Sequence, residues 1–261
     1  MSRRAWRIVA LFKLAPLIFW LLPLAHTPMR QAGSAIAAAF FFGTDVFLLY
    51  QLFIPSSQAL CRVFTRFETE RPEVWLTIDD GPDPDDTPRI LDLLERHRAR
   101  ATFFVIGERA ARHPQLLAEI VRRGHEIAHH THTHPAMTFW CAGPKRVRRE
   151  LDDALVATHT AGQPRWFRPP VGIKTFFLGA ALRERGLECV GWSIRSHDSI
   201  LRDPAKVAAR VISNLQPGAI LLMHEGPWLD QRVRVQALEL LLGELAKRNY
   251  ACVLPAKEQL R

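Results

Sequence analysis

The sequence has little cysteine and none of the patterns that would put cysteine to use. Cys61, Cys141, Cys189 and Cys252 lie far apart and form no CxxC pair, which excludes a zinc ribbon and a disulfide framework and favours a reducing compartment. With 48% hydrophobic and 23% charged residues in 261 positions, the chain is neither a disordered tail nor a collagen-like fibre. The length suffices for one substantial domain and an appendage. A concentrated basic surface is also missing. The net charge of +9 looks like a nucleic-acid signal until it is divided along the chain: residues 1–71 hold eight Lys or Arg against Asp45, Glu68 and Glu70, and so supply +5 of it. The remainder is only mildly basic, and no nucleic-acid partner is expected. No protein partner is inferred.

Charge is nearly absent from two long runs. Residues 8–25 carry only Lys13 and residues 33–54 only Asp45, and each run is near the roughly 20 residues that a helix needs to cross a bilayer. The first run also reads as a secretory signal with Arg3 and Arg4 ahead of it, although the second apolar run argues for anchoring instead of cleavage. A buried helical hairpin is the other alternative, since Pro16, Pro23 and Asp45 are awkward in simple spans. Hydropathy and the flanking arginines favour two membrane-embedded helices. Residues 1–71 are therefore expected to be a membrane anchor and residues 72–261 the catalytic domain. Arg3, Arg4 and Arg7 precede the first run, Arg62, Arg66 and Arg71 follow the second, and the loop offers only Arg30. This bias places both chain ends on the cytoplasmic side of a bacterial-type inner membrane. If the first run crosses alone, the domain faces outward.

From about residue 72, short apolar runs alternate with amphipathic stretches. Residues 74–79, 101–107, 126–131, 166–170, 188–194, 219–225 and 251–255 read as strands. Between most of them lie helical patterns over 87–97, 114–124, 145–159, 204–215 and 233–249, with Gly124, Gly162 and Gly186 as stops. The fold class is α/β: repeated strand–helix units imply about seven parallel strands, in a doubly wound sheet or a barrel. Polar residues gather past the carboxyl ends of these strands, the rim on which barrel sites are built.

Asp79 and Asp80 end an apolar strand, and Gly81 and Pro82 turn the chain at once. Turn chemistry explains one Asp, but an adjacent pair at a strand tip suits a metal ligand beside a base. The run over 129–134 offers His129, His130, His132 and His134. In a strand the last three share a face, whereas on a turn His130 and His134 converge. Imidazole with carboxylate suits zinc, cobalt, nickel or iron. His125 reads as an ordinary surface residue or one behind the site. Arg168, stiffened by Pro169 and Pro170, can orient a carboxylate through a bidentate contact. His224 closes the apolar strand on the same rim, and Asp198 lies beyond the fifth strand.

The segments TIDDGP (77–82), HTHTH (130–134), RPPVG (168–172), SHDS (196–199) and LMHE (222–225) resemble, in order and spacing, the five motifs of the polysaccharide deacetylase family, also called the NodB-homology or carbohydrate esterase 4 family. The resemblance covers residues 74 to about 255, and five ordered motifs are far more specific than one. It implies a distorted (β/α) barrel that holds one divalent metal ion and hydrolyses an N-acetyl group from an amino sugar. By position, Asp79 matches the family's general base. Asp80, His130 and His134 match its metal ligands, Arg168 the group that orients the base, His224 the general acid, and Asp198 the acid that supports that histidine. Zinc is the expected ion, with cobalt, nickel or manganese as alternatives. The backbone N–H near Val171 would face the oxyanion. Three positions depart from the family pattern: Arg195 replaces an acid, Ser199 a tryptophan and Val171 a tyrosine. They leave the acyl group and the sugar open, so hydrolysis of a formamide or ester, and a silent glycan-binding member, stand as alternatives. The expected partner is an amino-sugar glycan or a lipid-linked sugar at the membrane.

Overall fold

The computed structural model describes residues 3–21, 28–162, 164–226 and 231–261. Among the described residues nine short strands form one sheet: β1 (Val63–Phe64), β2 (Glu73–Asp79), β3 (Ala101–Val105), β4 (Glu126–His129), β5 (Trp166–Phe167), β6 (Glu188–Val190), β7 (Ile194–Arg195), β8 (Ala219–His224) and β9 (Ala251–Cys252). Every ladder between them is parallel. The order is β1-β6-β5-β4-β3-β2-β8-β7, with β9 also on β2.

The run 188–194, expected as one strand, is two. Gly191 N donates to Phe64 O at 2.8 Å, whereas two residues on Ser193 N donates to Ile220 O at 3.1 Å. The chain thus changes partners between β6 and β7, at a glycine that lets the backbone bend. Since β6 and β7 lie towards opposite ends of the sheet, this short segment closes the sheet covalently into a distorted barrel. β1 comes from the segment before residue 72 and extends the sheet beyond β6.

Period-2 alternation sorts each strand into an outer and an inner face. On β2, Val74, Leu76 and Ile78 join the outer core beneath the helices, while Trp75 joins an inner cluster with Phe104, Trp166 and Ile220. Thr77 and Asp79 share the inner face with Trp75, which stacks apolar floor, hydroxyl and carboxylate in order up the barrel. The outer layer comprises α3 (Asp86–Arg96), α4 (Gly107–Arg112), α5 (Pro114–Arg122), α6 (Pro144–Thr158), α7 (Leu178–Glu184), α8 (Pro204–Ser213) and α9 (Gln231–Lys247), following α1 (Arg3–Leu21) and α2 (Pro28–Phe53). The five expected helices all occur, and α4 and α7, of six and seven residues, are too short for a periodic signal. Gly124, Gly162 and Gly186 have φ of 82°, 104° and 66°, the left-handed geometry that ends a helix or turns the chain after one.

Among the described residues one helix, spanning Gln31–Phe53, is long and apolar enough to cross a membrane. The apolar part of α1, Ala10–Leu21, is shorter, and residues 22–25 of the expected first span lie outside the described residues. The two charges that made these runs awkward meet: Lys13 Nζ donates to Asp45 Oδ2 at 2.5 Å and to Phe41 O at 2.6 Å. Pairing of this kind is how charges are tolerated in an apolar phase. The end of α2 is built into the barrel. Lys174, fully buried, donates from its backbone N to Leu52 O at 2.9 Å and from Nζ to Ile54 O at 2.6 Å and Pro55 O at 3.0 Å. A cation there also complements the carboxyl end of the helix.

Candidate active site

The carboxyl ends of β2, β4, β5 and β8 bring the sequence-predicted residues together. β2 and β8 run in register so that Asp79 stands opposite His224. Asp80, immediately beyond, adopts φ 75°, which breaks the strand's alternation, and both carboxylates reach the same ring: His130 Nε2 lies 3.7 Å from Asp79 Oδ2 and 3.5 Å from Asp80 Oδ1. β4 ends at His129, so the histidine run is a turn and not a strand. Thr131 and His134 take φ of 64° and 53°, and His130 and His134 converge with ring centroids 4.9 Å apart. His134 N donates to Thr131 Oγ1 at 3.1 Å.

Asp80 Oδ1 lies 3.5 Å from His130 Nε2 and 3.3 Å from His134 Nε2. Asp80 Oδ1 is buried and has no hydrogen-bond partner. Ligand atoms about 2.1 Å from one ion at tetrahedral angles stand roughly 3.4 Å apart, so these three residues fit a divalent cation. His130 Nδ1 lies 2.8 Å from Arg168 O; donating there leaves the Nε2 lone pair free for a metal. Burial, with help from His134, pulls the His130 pKa down to about 3, and the neutral ring is the ligating form.

Asp79 is buried, and Arg168 Nη1 donates to its Oδ1 at 2.6 Å. The expected bidentate contact is not what forms. The same Nη1 donates to Thr77 Oγ1 at 2.9 Å, while Nε and Nη2 donate to the carbonyls of Val190 at 3.1 Å and Gly191 at 2.7 Å. Arg168 is thus fixed by the bend that closes the barrel and offers one N–H to the carboxylate. Burial raises the Asp79 pKa above its ordinary value, and Arg168 and His224 limit the rise.

Asp198 is fully buried. Its Oδ1 lies 2.6 Å from His224 Nδ1, and its Oδ2 accepts from His224 N at 2.7 Å. Burial works against a charged His224 ring, but Asp198, with Asp80 and Asp79 beyond it, outweighs burial and lifts the pKa to about 9. Beside His224, burial pushes the Glu225 carboxyl up to about 8, where it shares a 2.5 Å hydrogen bond with the Thr87 hydroxyl.

A cleft of about 860 Å³ opens over these groups, lined by Asp80, His134 and His224 together with Arg109, Met137 and Ser199. Ser199 therefore borders the site, Val171 stands half-exposed at φ 49°, and Arg195 ends β7 with a buried, unpartnered Nε. His125 is buried at the opposite end of β4, where its Nδ1 accepts from Ala101 N at 3.3 Å. His132 points away from the cleft towards Gly107, where an added Cβ would stand 2.5 Å from its Nδ1.

Sequence reasoning missed Glu150. From α6 its carboxylate accepts His132 N at 3.0 Å, Thr133 N at 2.9 Å and Thr133 Oγ1 at 2.6 Å, holding the histidine turn by its backbone. The signal was present: Val147, Glu150, Leu151, Ala154 and Thr158 are the buried face of α6, and an acid on such a stripe calls for a partner.

The parallel barrel thus gathers at its carboxyl rim an Asp-His-His cluster that fits a cation, an Asp–Arg pair and an Asp–His pair. The polysaccharide deacetylase family pattern matches residues 67–190. A chitooligosaccharide deacetylase of Bradyrhizobium sp. is 37% identical over 190 residues, 68% of this chain and 86% of that protein. A peptidoglycan-N-acetylglucosamine deacetylase of Bacillus cereus is 34% identical over 185 residues, 69% of this chain and 84% of that protein. The crystal structure of the Bc1960 peptidoglycan N-acetylglucosamine deacetylase superposes with a TM-score of 0.68 at 29% identity, covering 72% of this chain and 88% of that one. The chain belongs to the polysaccharide deacetylase family and is a carbohydrate N-deacetylase.

Proposed function

We propose that the chain is a metal-dependent hydrolase that removes an N-acyl group, foremost N-acetyl, from an N-acetylglucosamine-type amino sugar of a membrane-associated glycan or glycolipid. The observation that carries this is the convergence of the orphaned Asp80 carboxylate with His130 and His134, flanked on one side by Asp79–Arg168 and on the other by Asp198–His224. Asp80, His130 and His134 would hold a divalent cation, zinc foremost, with cobalt, nickel or manganese as alternatives, which would supply Lewis acidity for the amide carbonyl and the attacking water. Asp79, with its pKa raised by burial, takes the proton from the attacking water. Arg168 keeps that carboxylate ionised and fixed. His224 is charged at neutral pH and gives its proton to the departing amine, which is too basic to leave without it. Asp198 orients the ring and stabilises its charge.

A division into an anchor and a catalytic domain belongs to this reading, with α1 and α2 as a hairpin that returns the chain to its starting side; the expected boundary at residue 72 moves back to the end of α2, because β1 and the buried Cys61, Val63, Phe64 and Phe67 belong to the barrel. The basic residues outside the hairpin put the domain on the cytoplasmic face, where lipid-linked amino sugars would be within reach. An alkaline phosphatase fusion after residue 71 that proves active would overturn that face. The reaction is tested by acetate release from chitotetraose with purified full-length protein loaded with each of the four metals. Release that chelation stops and Asp79→Asn abolishes supports the proposal; no release with any of the metals, either from chitotetraose or from an N-acetylglucosaminyl lipid in vesicles, refutes it. Formyl and propionyl substrates test whether Val171 and Ser199 widen the acyl pocket.

A further inference from the structure

Outside the anchor, eight large apolar side chains are exposed among the described residues, and they are not spread evenly. Met137, Trp140, Val171, Phe177 and Ile200 sit on segments that follow the carboxyl ends of β4, β5 and β7, the rim that carries the site. The other three are single positions on α5, α6 and α9. Scattered apolar residues need no explanation, whereas a group gathered on one rim marks a binding surface.

The rim is also where α2 ends. The Phe53 ring lies 5.9 Å from that of Trp140. Gly172, next to Val171, packs so closely on Pro55 that a Cβ there would stand 2.6 Å away, and Lys174 ties the same loop to the last carbonyls of the helix. Met137 and Ser199, the neighbour of Ile200, line the catalytic cleft itself. The helix with the length to cross a bilayer therefore delivers the mouth of the cleft to the level at which the helix leaves it. Lys145 and Arg202 are exposed beside these segments, as suits anionic head groups.

We propose that the rim docks onto the bilayer that α2 enters, and that the cleft takes its amino sugar from a lipid carrier in that bilayer instead of from solution. The docking stands on the surface alone; the choice of sugar rests on the deacetylase reading. A nitroxide label at Ile200→Cys, in full-length protein with the exposed Cys141 replaced by Ser, reports the docking in phosphatidylethanolamine–phosphatidylglycerol vesicles, with Leu240→Cys as the control. The label at position 200 should collide with dissolved oxygen in preference to an aqueous nickel chelate, and the label at 240 should show the reverse. Equal access of the chelate to both positions overturns the docking, as does protection at 200 that scales with protein concentration, which would mean that a second copy covers the rim. The triple variant Trp140→Ser, Phe177→Ser, Ile200→Ser should lose about tenfold in kcat/KM on an N-acetylglucosaminyl lipid in the vesicle and nothing on chitotetraose in solution. Equal change on both substrates overturns the lipid-carrier claim. A wild-type protein that deacetylates neither substrate refutes the deacetylase reading, and the labels then decide the docking alone.

Discussion

In the proposed mechanism, His224 and Asp198 form the pair whose titration governs both rate and stability. The ring's pKa is about 9 in the fold against roughly 6.5 in an unfolded chain. The pair's contribution to stability is therefore complete below about pH 6.5 and is lost as pH rises through about 9. The same rise removes the proton that the leaving amine needs, so turnover falls on the alkaline side. Asp198→Asn should move that basic limb down by about two pH units with metal content unchanged, as a kcat–pH profile and elemental analysis would show. For the cation, His130→Ala and His134→Ala should each abolish tight binding, whereas His132→Ala, whose ring faces Gly107, should keep most of it; metal content of the purified variants checks this. The residues in these experiments were legible in the sequence because their types have few uses at strand ends. The single N–H that Arg168 gives Asp79 was not, since it depends on the carbonyls of Val190 and Gly191, which only the fold brings near.

Elements were legible in proportion to their length and periodicity. β2, β3 and β8 announce themselves as apolar runs, and α3, α5, α6, α8 and α9 as amphipathic stretches. β1 has two residues and pairs only with a strand more than a hundred positions later, so no local pattern could reveal it. The segment over 188–194 has the composition of one strand, and its division between β5 and β8 reflects barrel closure, a property of the whole sheet. Glu150 shows how one element can govern another: the histidine turn has no strand to hold it, and α6 supplies the acceptors for two of its backbone N–H groups. Glu150→Ala should destabilise the protein by about 3 kcal/mol, because charged hydrogen bonds are lost and buried donors are left unpaired. It should also weaken binding of the proposed cation by roughly 10–100-fold, as is usual for groups that position ligands. Denaturant unfolding and chelator competition would measure the two effects separately.

For the whole molecule, the joint between α2 and the barrel matters as much as the barrel. Lys174 is buried, its pKa is lowered by that burial with Cys61 and Cys189 opposing, and its ammonium group binds the chain just past α2. Lys174→Met should cost about 2 kcal/mol by leaving those carbonyls unpaired, visible as a lower Tm of the full chain in detergent. The order of the strands has a consequence for how the protein is made. Thr77 on β2 donates to Leu221 O, 144 positions later, and β2 lies between β3 and β8. At roughly 5–20 residues per second, translation needs on the order of ten seconds to supply β8 after β2 has left the ribosome. The apolar α2 emerges before either. If α2 enters a bilayer, the nascent chain would be tethered there while its central strand has β3 but not yet β8 beside it, and a chain stalled before residue 219 should be membrane-bound yet open to protease from β2 onward.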